Sequence, residues 1–361
     1  MVLLQPLLRK LHRRFGQPCT LLARGAWSTS LYAGHADVAG VLNVQDSHRP
    51  LLLSPRQWSV IAALRRMRNT PVYVCEPESR ALAKVRRLLN LAGVRHEDCV
   101  HLSDTPPLPD EHWIERWLRF ADRAPAEWRD AGDASNVGEQ LAPTLQVSEA
   151  DRADCAAWMR ENGWESARLV LLQPANRRTM RWNGLRGVED DKWWPVERWV
   201  SLARSIREMV ADSRVLLCGA PREAALLRMI RDATADARVH VVADALPLRR
   251  LMALQEIAHS MISVDTGPAH MAAALGCPLV VMFGKVSPAQ WVPRSSRGSD
   301  VIAIGGPARG GRIDALGVNE VLAAWAMLAP RRILRVGESG NAGSAVRSSQ
   351  ADFKKGVLPR R

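Results

Sequence analysis

Residues 261–293, MISVDTGPAHMAAALGCPLVVMFGKVSPAQWVP, carry the densest chemistry in the chain. An apolar run ends at Asp265, Thr266 and Gly267 make a tight turn, and Pro268 stands where the first helical position is expected. The missing proline N–H costs nothing there. Gly276 closes the helix, and a second apolar run starts at once. Ala272, Ala273 and Ala274 are small enough to let the helix lie close to a sheet. Strand, loop, helix and strand in this order put Asp265, Thr266, Gly267, Pro268 and His270 at the carboxyl end of a parallel sheet, where open α/β folds bind ligands. Free N–H groups at a helix start, with the Thr266 hydroxyl, suit a phosphate. A carboxylate would repel a phosphate it faced, so Asp265 is better placed to accept hydrogen bonds from sugar hydroxyls beside one. The same residues have a plainer reading: Thr266 caps the helix, Asp265 holds the loop, and His270 is a structural hydrogen-bonder.

The elements around this segment must deliver it to a sheet edge. In the second half, strands are expected at 168–173, 215–218, 239–242, 261–264 and 279–283. Helices are expected at 149–161, 195–210, 223–233, 248–259, 268–275 and 318–328. That alternation predicts a doubly wound parallel sheet. In the first half, helices at 3–15, 56–68 and 78–92 alternate with strands at 20–23, 38–44 and 72–75, and 50–53 is also strand-like. Residues 103–147 lose the rhythm, with five prolines and one helix at 111–122, and lead to a boundary near 145–150. The chain of 361 residues therefore reads as two α/β domains, 1–147 and 148–330, followed by a basic tail, 331–361, whose Gly, Ser and charge content predicts disorder.

Composition narrows the partners. The net charge is +13, with eight basic residues against two acids in 331–361 and four basic residues in the first fourteen. Such a balance suits an anionic membrane surface, a phosphorylated ligand or nucleic acid. Zinc-finger spacing and an RNP-type aromatic strand are both missing, so nucleic acid is not expected. The six cysteines lie far apart without a CxxC pair, which predicts reduced thiols and no metal site. No apolar run reaches membrane-spanning length, and the start does not read as a signal peptide, so a cytoplasmic protein is expected. A single Asp-Thr-Gly that opens a helix lacks the paired carboxylates of an aspartic protease.

The segment 261–293 resembles the signature of the heptosyltransferase-like glycosyltransferases, family 9: Asp265-Thr-Gly-Pro-x-His270, an alanine-rich helix, Gly276-x-Pro278, an apolar strand, Phe283-Gly284, and Trp291-x-Pro293. Lys192-x-Trp-Pro195 is similar to a second family element, and residues 176–182 and Gly219-Ala-Pro221 with Glu223 to weaker ones. The resemblance is close over 168–293 and loose elsewhere. It implies a GT-B architecture, two Rossmann-like domains facing across a cleft, with the nucleotide-diphosphate sugar, usually ADP-heptose, on the second. It implies inverting transfer without a metal or cofactor to the inner core of lipopolysaccharide. The donor site would comprise Lys192, Asp265, Thr266, Gly267, Pro268, His270 and Gly284. Lys192 and the helix start would stabilise the leaving diphosphate, unless Lys192 is merely a solvated side chain before a helix. Arg177, Arg178 and Thr179 would contact phosphates, or Arg177 and Arg178 would simply face solvent.

Family members begin with a strand and a Gly-Asp loop whose Asp is the expected base. Residues 1–11 match the helix that follows it, so the first strand is expected to be missing from the N-terminal domain, the base to precede Met1, and the chain as written to be inactive. The nearest carboxylates, Asp37 and Asp46, read as loop residues. The expected acceptor is a lipid-linked saccharide, with the basic helix at 3–14 and the tail toward an anionic inner membrane face, and a monomer is favoured. Two rival readings are a non-catalytic nucleotide-sugar-binding relative and a sugar-nucleotide epimerase of the same architecture.

Overall fold

The computed structural model describes residues 1–25, 27–44, 54–77, 79–131, 140–176, 179–181, 184–185 and 190–329. The stretches 50–53 and 331–361 expected to be a strand and a disordered tail lie outside the described residues. A 3₁₀ turn, Val2–Leu4, leads into α1 (Gln5–Phe15), then β1 (Cys19–Ala23), α2 (Trp27–Leu31), β2 (Val38–Asn43), α3 (Pro55–Arg66), β3 (Val72–Val74), α4 (Ser79–Ala92), β4 (Cys99–His101) and α5 (Trp113–Asp122). The second half runs α6 (Glu149–Glu161), β5 (Arg168–Gln173), a hairpin of β6 (Met180–Arg181) and β7 (Gly184–Leu185), α7 (Val196–Met209), β8 (Ser213–Leu217), α8 (Ala224–Thr234), β9 (Val239–Val241) and α9 (Leu248–Ile257). It ends with β10 (Ser260–Val264), α10 (Gly267–Ala274), β11 (Leu279–Phe283), α11 (Pro288–Trp291), β12 (Val301–Gly305) and α12 (Val318–Ala326).

The second half is built on one parallel six-stranded sheet, order β12-β11-β10-β5-β8-β9. Its central strands are continuous apolar runs because helices cover both faces: all five residues of β10 and of β11 are buried, and five of six in β5. The chain leaves β5 toward β8 and β9, then returns to the other side of β5 with β10. That reversal opens a crevice between the carboxyl ends of β5 and β10, the usual ligand position in such sheets.

In the first half, the strands form two separate parallel pairs, β1-β2 and β3-β4. Strand β3 alternates: Val74 packs with Ile61, Leu88 and Leu89 of α3 and α4, whereas Tyr73 joins Leu7, Leu11 and Phe120 of α1 and α5. The two halves meet in one apolar cluster that runs from Val2, Leu8, Leu31 and Tyr32 to Met252 and Met271. Three of the four Lys and Arg side chains of α1 turn to protein partners, and Arg13 is exposed: Arg9 donates to Gln140 Oε1 and Thr144 Oγ1, Lys10 pairs with Asp122 at 2.6 Å, and Arg14 donates to three carbonyls at the end of α5.

Candidate functional site

Strand β10 delivers Asp265 to the crevice. The Asp265 N–H still donates to Met282 O at 2.9 Å, so the sheet ladder fixes its backbone. The next residue, Thr266, is extended and stands as the N-cap of α10, yet its hydroxyl makes no capping bond. The capping reading of Thr266 is therefore not met. Helix α10 starts at Gly267, so Pro268 takes the second helical position rather than the first. The first turn is open: Gly267 is exposed, Thr266 and Pro268 are half-buried, and every residue from Ala269 onward is buried. The Thr266 and Gly267 N–H groups have no partner among the described residues. With the Thr266 hydroxyl they form a small positive surface at the helix start. At the other end Gly276, at φ 76°, closes the helix as expected.

Lys192 reaches this start from the opposite side of the crevice. Its Nζ donates to the Asp265 carboxylate Oδ2 at 2.5 Å and to the Asp265 carbonyl at 2.8 Å, with its side chain 14% exposed. His270 Nε2 lies 3.6 Å from the other carboxylate oxygen, an electrostatic contact too long for a hydrogen bond. Its Nδ1 is buried without a hydrogen-bond partner among the described residues. Burial works to raise the Asp265 carboxyl, but the His270 ring and the Lys192 ammonium outweigh it and hold the group below its ordinary value. Asp265 is thus an ionised acceptor with a cation already at hand.

The Lys-x-Trp-Pro element is a mount for that lysine. Trp194 is buried, stacks edge-on against Trp199 with ring centroids 4.9 Å apart, and donates from Nε1 to Leu316 O at 2.9 Å. Pro195 is the N-cap of α7. On the other side, Asp190 accepts from the Lys192 N–H at 3.3 Å, from the Thr179 hydroxyl at 3.2 Å and from Asn176 Nδ2 at 3.4 Å. Thr179 is fully buried and its Oγ1 also accepts the Asn176 N–H at 3.1 Å. This corrects the expectation that Thr179 touches phosphate: it is spent on holding the loop under Lys192. Arg177 and Arg178 lie outside the described residues. Asp190 and its neighbour Asp191 were not singled out from the sequence, since only folding brings them to residues 176 and 284.

Gly284 has a packing reason. A Cβ there would stand 2.3 Å from Asp191 Oδ2 and 2.8 Å from Asp191 O. The Asp191 carboxylate accepts the Lys285 N–H at 2.9 Å and its carbonyl accepts the Ile313 N–H. Gly284 is buried and lets this staple close. At the end of β8, the Glu223 carboxylate is buried and accepts the Ala220 N–H at 2.9 Å. Burial pushes its carboxyl above the ordinary value. Asp37 precedes β2 and accepts from Gln5 and His12, each at 2.8 Å. Asp46 lies outside the described residues. Among the described residues, no three His, Cys, Asp or Glu side chains come together as a metal site.

The first half grips the loop next to this site through one turn. The His112 ring donates from Nε2 to Val292 O at 2.9 Å, and its Nδ1 accepts the Ile114 N–H as the cap of α5. Trp113 and Trp291 stack with centroids 5.1 Å apart, and Arg294 pairs with Glu115 at 2.6 Å.

The family model described as glycosyltransferase family 9 (heptosyltransferase) matches residues 111–307, more than half of the chain. Lipopolysaccharide heptosyltransferase 1 of Escherichia coli K12 is 32% identical over 107 residues, which is 28% of this chain and 30% of the relative. The chain thus aligns with under a third of that relative's length. Among solved structures, E. coli ADP-heptose LPS heptosyltransferase II superposes with a TM-score of 0.66 at 21% identity, over 90% of this chain and 94% of the other. A family 9 glycosyl transferase from Veillonella parvula gives 0.66 at 14% identity, over 90% and 92%. E. coli heptosyltransferase WaaC with ADP gives 0.60 at 18% identity, over 90% and 95%. These likenesses show the fold, the GT-B arrangement of two α/β halves.

Proposed function

On the premise that the chain belongs to glycosyltransferase family 9, we propose that it is a heptosyltransferase-type enzyme that moves a sugar from a nucleotide diphosphate to a lipopolysaccharide core acceptor. The observation that carries this reading is the Lys192–Asp265 pair at the open start of α10. A diphosphate placed there meets two free N–H groups, the Thr266 hydroxyl and one ammonium. Negative charge grows on the diphosphate as the glycosidic bond breaks, and fixed positive groups stabilise that state without reorganising. Lys192 and the helix start thus take the charge-neutralising role without a metal ion. Asp265, ionised and held by the β10–β11 ladder, accepts hydrogen bonds from hydroxyls of the donor sugar. ADP-heptose is the proposed donor, because relatives of the same fold are described with ADP or ADP-heptose. Attack from the acceptor side on the face opposite the diphosphate gives inversion.

The proposal places the chain as a monomer on the cytoplasmic side, where nucleotide sugars are made, working on a lipid-linked acceptor. No helix among the described residues is long and apolar enough to cross a membrane, so the contact would be peripheral. The test is a thermal-melt series with ADP, UDP, GDP and CDP, followed by transfer from ADP-heptose to a core saccharide. ADP should raise the melting temperature most, since a ligand at a hundred times its Kd adds about 2.7 kcal/mol of stability. No shift with any nucleotide diphosphate would overturn the reading.

A further inference from the structure

Helices α3 and α4 contain no acidic residue in either sequence, PRQWSVIAALRR and SRALAKVRRLLNLA. They pack side by side on β3, with Ile61, Leu88 and Leu89 turned inward. Arg56, Arg65, Arg66, Lys84, Arg86 and Arg87 are all exposed on the outer side. None of them makes an ion pair among the described residues, and Arg65 spends one donor on the Leu91 carbonyl. Elsewhere basic side chains are mostly paired: Arg95 faces three carboxylates, and Arg152, Arg249 and Arg250 each bind acids. The two helices therefore concentrate unneutralised positive charge on one face. That face also carries apolar contact. Trp58 is 42% exposed, and half-buried Leu82 and Leu91 line a shallow open depression beside Arg86 and Arg87.

We propose that the outer face of α3 and α4 is the surface by which the chain docks on a bilayer bearing anionic headgroups. The proposal rests on the reading of a lipid-linked acceptor and moves the membrane contact away from α1, whose Arg9, Lys10 and Arg14 are committed to the protein. A basic face with an exposed indole suits an interface where one side is anionic and the other greasy.

The experiment is flotation of the full chain with vesicles of phosphatidylglycerol and phosphatidylethanolamine, against vesicles of phosphatidylcholine alone. Binding is expected only to the anionic vesicles and to fall with salt. The triple substitution Lys84→Ala, Arg86→Ala, Arg87→Ala should weaken partition roughly a hundredfold, at about fivefold per charge. Arg160→Ala with Arg228→Ala, exposed on the second half, should change it by less than about twofold. Both variants should keep the wild-type melting temperature and ADP response, which shows that they fold. Unchanged partition in the triple variant, with ADP response intact, would overturn the surface and leave the proposed function standing. Loss of partition in the triple variant of a chain that responds to no nucleotide diphosphate would support the surface and remove the function. An RNA oligomer that binds more tightly than the vesicles, and loses affinity in the same variant, would overturn the surface in favour of nucleic acid.

Discussion

At the residue scale, the candidate site works by dividing labour between groups that face the crevice and groups that hold them. Lys192 and Asp265 meet at it, as the resemblance of their two elements to the family implies. Thr179, Asn176 and Asp190 hold the backbone under Lys192, a role that residue types alone do not reveal, because threonine next to two arginines reads equally as a phosphate contact. The two roles predict different losses. Thr179→Val leaves Asp190 short of one donor in a buried place, which costs about 1–3 kcal/mol. Denaturant unfolding should show that loss, while calorimetry should find ADP affinity reduced by less than about threefold at saturating stability, far below the loss of a direct charged contact. A tenfold drop in ADP affinity without destabilisation would put Thr179 back on the phosphate.

At the element scale, the turn 112–115 ties the first half to the loop 291–294. His112 is the joint: one nitrogen caps α5, the other bonds across to Val292, so the ring must be neutral to do both. Burial, with the nearby Arg294, pulls its value down to about 4. A histidine whose folded value is depressed contributes stability that is fully present above its unfolded value near 6.5 and is lost as pH falls toward 4, where the unfolded chain binds the extra proton. The loss should be of the order of 1–3 kcal/mol. His112→Asn keeps a capping oxygen without the titration. The stability difference between the wild type and this variant should shrink between pH 6.5 and pH 4, measured by urea unfolding. A constant difference across that window would show that the ring does not carry the joint.

At the scale of the whole molecule, the second half is largely legible in the sequence and the first half less so. Buried parallel strands such as β5, β10 and β11 announce themselves as continuous apolar runs, and α10 by its proline and closing glycine. Strand β12 is less legible: its apolar run, Val301–Ile304, is short and closes on Gly305 and Gly306, and all five strand residues are only half-buried at the sheet edge. Strand β4 and helix α2, with three and five residues, are too short to display a period. The amphipathic pattern of α1 announces a helix, but most of its polar side is engaged with the protein rather than open. Partners more than a hundred residues away, at 121–123 and 140–144, absorb those charges, and no local pattern encodes them. The inverse holds for α3 and α4, where charge without acidic neighbours survives folding as an exposed face.

The central claim is that Lys192, poised on Asp265 at the start of α10, receives the diphosphate of the donor. Titration of ADP into the wild type, Lys192→Ala and Asp265→Asn by calorimetry tests it directly. Removing the ammonium should weaken ADP by roughly 10- to 150-fold, the worth of a charge-assisted contact of about 1.5–3 kcal/mol. Asp265→Asn removes a like charge near the phosphates and releases Lys192, so its ADP affinity should be equal to or tighter than that of the wild type, even as sugar transfer fails. ADP affinity unchanged in Lys192→Ala, with the protein folded, would contradict the account.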